Sequence, residues 1–235
     1  MRRLRPLTLS LLTLICLVLS TSGIGASLAV FADDAVVDNN TLIAGYWADY
    51  FLHNNPTPPV GNTTAQANLT ATLTAPTQGT LYDYDTDCDN RTGRWLRRQN
   101  PPSPGLTTAC RYVNWRLPVQ ATALTLTAGS VVRVDIWSAT DANQANRTGS
   151  LIAYLRDYDP GTNNYTEITN ATYTANYPVG RTFYNTPFNV TISSAYTLAA
   201  GHQLELKLEC PRATSQNNMM VAYDTTGYPS LLRLP

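Results

Sequence analysis

Four aspartates alternate along Tyr82-Asp83-Tyr84-Asp85-Thr86-Asp87-Cys88-Asp89-Asn90, the densest run of potential metal ligands in the chain. Asp85, Asp87 and Asp89 have the spacing of the first three ligands of a calcium loop. Asn90 stands where such a loop normally places Gly for a sharp turn. Asn tolerates the left-handed geometry of that turn. The twelfth position, which should supply a bidentate acid, is Leu96. Crowded carboxylates repel one another unless a cation or a basic side chain neutralises them, and Arg91, Arg94, Arg97 and Arg98 follow directly. The segment therefore reads either as a calcium site at Asp85, Asp87 and Asp89 or as a solvated acidic loop paired with arginines. Calcium is the only cofactor the sequence suggests.

Signatures of catalysis are missing. There is no His-Glu-x-x-His zinc helix, no Gly-x-Ser-x-Gly elbow and no phosphate-cradling Gly loop. The two histidines, His53 and His202, are far apart in sequence, which argues against a His-based metal cluster. His53 reads as a strand cap and His202 as a half-exposed strand start, so no enzyme is expected. Tyr46, Trp47, Tyr50, Trp95, Trp115 and Trp137 include flat rings that could stack on sugars, although large aromatics also fill β cores. They support one alternative reading, a secreted monomeric carbohydrate-binding β-sandwich module.

Strands must position these residues. In Val131–Trp137 the apolar set Val132, Val134, Ile136 alternates with Arg133 and Asp135. His202–Glu209 alternates Leu204, Leu206, Leu208 with Gln203, Glu205, Lys207 and Glu209. Such a period marks a strand with one face on a core and the other in water. Thr41–Phe51, Gly79–Tyr84, Tyr112–Leu117, Ala121–Leu126, Ser150–Asp157, Tyr165–Tyr173, Phe188–Ser193 and Met219–Tyr223 are further candidates. Gly/Pro turn signals lie between them, at Ala128-Gly129, Asp159-Pro160-Gly161, Pro178-Val179-Gly180, Ala200-Gly201 and Gly227-Tyr228-Pro229. The expected fold is all-β, an antiparallel jelly roll or β-sandwich preceded by a signal peptide. Asn54–Gln78, rich in Pro, Thr and Asn, reads as a long loop, and residues 79–235 with 41–53 as one β body.

Arg2, Arg3 and Arg5, the apolar run Leu7–Leu19 and the small residues Ser20–Ala29 have the order of a secretory leader. Residues 1–29 are expected to be removed by signal peptidase, and no later segment is apolar enough to span a membrane. The protein is expected to be extracellular. Loss of the leader turns a chain with 16 basic and 16 acidic residues into a weakly acidic one, which excludes a nucleic-acid binder. Outside the leader remain Cys88, Cys110 and Cys210. A Cys88–Cys110 bridge closes a Pro- and Arg-rich loop and is worth about 3 kcal/mol, which leaves Cys210 buried or paired between subunits. Asn39, Asn62, Asn68, Asn90, Asn146, Asn164, Asn170 and Asn189 each begin an N-glycan acceptor triplet.

Gly25-Ala26-Ser27-Leu28-Ala29-Val30-Phe31-Ala32-Asp33 is followed after seven residues by Thr41-Leu42-Ile43-Ala44-Gly45. This stretch resembles the exported TasA/camelysin group, in which a small-residue leader end precedes an aromatic and an Asp. Polar residues follow there, then Asn-Thr, an apolar pair and Ala-Gly, and Asn40-Thr41 and Ala44-Gly45 fall in that register. The resemblance implies a jelly-roll subunit of a surface filament or pilus, as in archaeal bundling pili. Each subunit would lend its N-terminal strand, within residues 30–53, to the next copy. Val30, Phe31, Ala35, Val36 and Val37 would supply the apolar side chains of that strand. Pairing of a donated strand with an open sheet edge is physically sound and, being heterologous, yields a fibre.

Overall fold

The structure, a computed structural model, describes residues 48–54, 69–86, 88–99 and 110–235. All of these lie in one compact unit, Leu42–Pro235. The described residues contain thirteen strands and no helix: β1 (Ala48–His53), β2 (Leu69–Thr72), β3 (Arg94–Leu96), β4 (Tyr112–Arg116), β5 (Leu124–Leu126), β6 (Val131–Thr140), β7 (Arg147–Asp159), β8 (Asn164–Tyr177), β9 (Tyr184–Thr191), β10 (Tyr196–Leu198), β11 (Gln203–Glu209), β12 (Met219–Ala222) and β13 (Leu231–Leu234). The all-β expectation holds.

Eleven strands form one mixed sheet, ordered β3-β12-β6-β13-β1-β2-β4-β11-β7-β8, with β9 also on β6. Its pairs are antiparallel except β2 with β4. One edge of β6 serves two partners, β13 over Arg133–Asp135 and β12 over Trp137–Thr140, while β9 takes the other edge. The sheet rolls so that β8 returns to β9. There the Tyr173 and Phe188 ring centroids are 5.7 Å apart, and Thr169 Oγ1 donates to Thr191 O at 2.9 Å. β5 and β10 pair separately.

Alternation places Val132, Val134 and Ile136 of β6, Leu151, Ala153 and Leu155 of β7, and Leu204, Leu206 and Leu208 of β11 in one buried core around Trp115. The opposite face of β11 departs from expectation. Glu205, Lys207 and Glu209, read as water-facing, are 0% exposed. The reason is position: β11 lies between β4 and β7, and the register sets Glu205 opposite both Arg116 and Arg156. Arg156 Nε and Arg116 Nε donate to Glu205 at 2.7 and 2.9 Å, and Asn114 Nδ2 donates at 2.5 Å. Lys207 Nζ meets Glu209 at 2.5 Å and lies 5.1 Å from the Tyr112 ring. Burial holds the Lys207 amine below its ordinary range, with Glu209 opposing that shift.

Gly79–Tyr84 is no strand; only Asp83 bridges, to Gly93. Its approach is held instead through Gln78, which bonds to Thr226 N and to the Asp224 carbonyl. β2 stands inside the Asn54–Gln78 stretch that composition reads as loop, with Leu69 and Ala71 buried. Cys88 and Cys110 form a disulfide with Cα atoms 5.6 Å apart. Cys210 is unbridged and buried, and burial pushes its thiol up to about 12, so it is sequestered and not a nucleophile.

Candidate functional site

The antiparallel pair β1/β2 brings two side chains to one end of the sheet: His53, the last residue of β1, and Thr72, the last of β2. β12 ends nearby, and Asp224 leaves it with φ 57°, a left-handed conformation that Asp tolerates. The turn aims its carboxylate at the end of β1. Asp224 Oδ1 accepts from His53 Nδ1–H at 2.7 Å, and Oδ2 accepts the Asn54 amide at 3.0 Å. In the tautomer protonated at Nδ1, Nε2 carries a lone pair 3.1 Å from Thr72 Oγ1. The Thr74 amide donates to Thr72 Oγ1 at 3.3 Å. Nε2 also lies 3.0 Å from Thr74 O, a carbonyl that accepts Nε2–H when the ring is protonated there, so Thr72 and Thr74 compete for this nitrogen.

The order carboxylate, imidazole, hydroxyl is what general-base activation of an alcohol requires. The His53 and Asp224 side chains are 18% and 10% exposed, shielded but accessible. Beneath them a polar scaffold is fixed on aromatic packing. Arg94, fully buried, donates to Tyr223 Oη and Asn54 Oδ1 at 3.2 and 3.1 Å, and the Trp115 ring meets Tyr223 edge-on at 4.9 Å. His53, expected to cap a strand, meets Asp224 across 171 residues and Thr72 across 19, separations that no local motif marks.

His202 forms a different assembly. Its Nδ1 donates to Asp157 at 2.8 Å, its Nε2 lies 3.8 Å from Asp159, and Tyr196 Oη also donates to Asp157 at 2.8 Å. Both of its ring nitrogens face carboxylates. This set ties β11 to the β7/β8 hairpin.

The acidic loop is folded as a tight turn. Tyr84 N donates to Gly93 O and Gly93 N to Tyr82 O, at 3.0 and 2.7 Å. Gly93 has φ 89°, and a Cβ there would fall 2.7 Å from Val221 O, so only Gly lets the turn lie against β12. Asp83, Asp85 and Asp89 each place an oxygen within 4.8 Å of the others. Asp87 lies outside the described residues. Leu96 is buried in β3 and offers no ligand. Arg91 pairs with Asp89 at 3.3 Å. Arg97 and Arg98 turn away and, with Arg212 and Asn218, line a separate cleft of about 250 Å³.

Of the other sequence-predicted residues, Val30, Phe31, Ala35, Val36, Val37, Asn39, Asn62 and Asn68 lie outside the described residues. Asn90, Asn146, Asn164, Asn170 and Asn189 are all exposed. Trp115 is core, not a platform, and Trp95 donates its indole N–H to Asp141 at 3.2 Å.

No protein-family model matches the sequence, and no curated protein is similar to it. Solved structures do match its fold. An aminopeptidase from a marine-sediment Thaumarchaeota archaeon is similar at TM-score 0.52 and 9% identity, over 80% of this chain and 36% of that one. A CocE/NonD family hydrolase from Staphylococcus aureus is similar at TM-score 0.52 and 9% identity, over 81% of this chain and 36% of that one. The chain thus spans about a third of the length of the hydrolases it matches, and the likeness is one of fold. It overturns the TasA/camelysin resemblance, because the matching folds are those of hydrolases and not of filament subunits. The filament function, its self-assembly partners, the carbohydrate-binding alternative and the expectation of no enzyme are corrected with it.

Proposed function

We propose that this chain is the strand-built domain of a secreted hydrolase and that it acts through the Asp224–His53–Thr72 relay. The relay itself carries the reading: Asp224 holds the imidazole by Nδ1 at 2.7 Å, and Nε2 stands 3.1 Å from a hydroxyl. The likeness to an aminopeptidase directs the choice of substrate to an acyl compound, an aminoacyl amide or the corresponding ester. His53 Nε2 takes the Thr72 hydroxyl proton as Oγ1 bonds to the substrate carbonyl carbon. The C–N or C–O bond then breaks, and the leaving group takes the proton from His53. Water, deprotonated by the same imidazole, releases the acid and restores Thr72.

General-base assistance of this kind contributes about 10²–10⁴-fold. The mature chain should therefore hydrolyse alanine p-nitroanilide or p-nitrophenyl acetate above the buffer rate. Thr72→Val should lose at least about 100-fold in kcat/KM while remaining folded, and Thr72→Ser should retain activity. A wild-type chain no faster than buffer, or a Thr72→Val chain as fast as wild type, rejects the relay.

The rolled sheet is read as a jelly roll, and the protein as exported with its leader cut after Ala29. Exposure of Asn90, Asn146, Asn164, Asn170 and Asn189 supports glycans at those sites. Intact-mass and peptide mapping of the protein recovered from its native medium should give an N-terminus at Val30 and hexose-bearing masses at these asparagines. An intact leader would reject the export reading, and bare asparagines the glycan reading.

A further inference from the structure

Asp85 presents an unsolved charge problem. Its side chain is 0% exposed, its Oδ2 accepts the Trp95 amide at 2.7 Å, and its Oδ1 is buried with no hydrogen-bond partner. An orphaned buried carboxylate oxygen costs free energy that a proton or a cation can relieve. Around it the chain has gathered further negative charge. Asp83 and Asp89 bring oxygens within 4.8 Å of it and of each other, and Arg91 bonds only to the Asp89 side. We propose that Asp83, Asp85 and Asp89 form a calcium-binding site, with the orphaned Asp85 oxygen as its buried ligand.

Geometry supports the choice of ion. Three atoms no more than 4.8 Å apart share a point within about 2.8 Å of each, so a shift of a few tenths of an ångström gives the 2.3–2.6 Å of calcium–oxygen bonds. Magnesium needs near-ideal octahedral geometry at shorter distances and gives up its waters reluctantly, so it suits such a loop less well. The ligands are also held in advance. The Asp85 amide donates to Asp83 Oδ1 at 3.0 Å, the Arg91 amide donates to Asp89 Oδ1 at 3.1 Å, and the Cys88–Cys110 bridge anchors the turn beside Asp89. Burial, opposed by Arg94 and reinforced by Asp89 and Asp83, pushes the Asp85 carboxyl up to about 8. Calcium therefore competes with a proton for that oxygen. The site does not complete the twelve-residue calcium loop, since Leu96 cannot serve; its third carboxylate, Asp83, comes from upstream instead.

The test uses the mature chain freed of metal with a chelator, and terbium as a luminescent calcium substitute. Trp95, whose amide bonds Asp85, is the sensitiser. Excitation of tryptophan should give saturable terbium emission that calcium competes away, with a calcium Kd of about 10⁻⁴–10⁻³ M, as in extracellular modules. Calcium should also raise the thermal midpoint by several degrees. Asp85→Asn and Asp83→Asn should each weaken binding at least tenfold, and Asp159→Asn, at the end of β7 and outside the Asp83/Asp85/Asp89 cluster, should leave it unchanged. If Asp85→Asn fails to fold, the partly exposed Asp83→Asn carries the comparison. Absence of saturable emission from the wild type overturns the proposal. So does equal binding by the Asp83→Asn variant, equal weakening by Asp159→Asn, or preference for magnesium. None of these outcomes depends on hydrolysis, so the site and the relay stand or fall separately.

Discussion

Glu205→Ala should destabilise the protein by about 3–5 kcal/mol, the loss typical of removing one partner from a buried ion cluster. Glu205 is fully buried and accepts from Arg156, Arg116 and Asn114 at once. Its removal leaves two guanidinium groups, with side chains 3% and 10% exposed, on adjacent sides of β11 without the anion between them. Neither moves readily into water. The Arg116 guanidinium lies 3.3 Å from the Tyr158 ring centroid, Arg116 Nη2 donates to Tyr165 Oη at 2.8 Å, and the Arg156 guanidinium lies 4.2 Å from the Tyr165 ring. Glu205→Gln keeps the volume and one acceptor oxygen and should lose less. Urea denaturation followed by tryptophan fluorescence measures both. An alanine variant within about 1 kcal/mol of wild type would mean that water reaches this face and that the buried cluster is misread.

The second large effect is one of pH. In metal-free buffer the protein should lose stability as pH rises from about 4 to about 8, opposite to the usual behaviour of carboxylates in salt bridges. Burial pushes the Asp85 carboxyl up to about 8, whereas an unfolded chain ionises it near 3.9. Between these limits the native state keeps a proton that the unfolded state has released, so stability falls with rising pH. The contribution is fully present below the unfolded value and gone above the folded one. It amounts to on the order of 5 kcal/mol across that window. Asp89, also raised chiefly by burial, acts in the same direction. Thermal midpoints across the window should show the decline in wild type and a much flatter profile in Asp85→Asn, whose amide carries no titrating proton. Parallel profiles for the two proteins would place the titrating group elsewhere.

Long strands announced themselves. The alternations of β6 and β11 are legible because each carries at least three inward apolar residues. β2, β3 and β13 are three or four residues long, too short for a period to stand out from the background. The polar face of β11 was misread for a different reason. Alternation separates two faces but does not say what lies over the second, and Glu205 and Lys207 are buried by residues of β4 and β7 that are remote in sequence. The same distinction governs the sites. The acidic loop was legible because its residues are contiguous, whereas the relay joins residues 53, 72 and 224 and exists only after folding. The family resemblance rested on residues 25–45, none of them among the described residues, and a leader-end pattern bears on export without constraining the body's fold.

The place of β13 also shapes how this chain can reach its native state. β13 pairs with β1 from Ala48↔Leu234 and with β6 through Leu232↔Val134, so the middle of the sheet joins segments nearly the whole described length apart. Such non-local pairings fold slowly, on the millisecond-to-second scale, because loop-closure entropy is spent before any contact repays it. During synthesis the backbone groups of β1 and β6 that await β13 remain open to strands of other chains. These strands are therefore most exposed to aggregation before β13 emerges, and a carrier that keeps them extended until then would raise the yield.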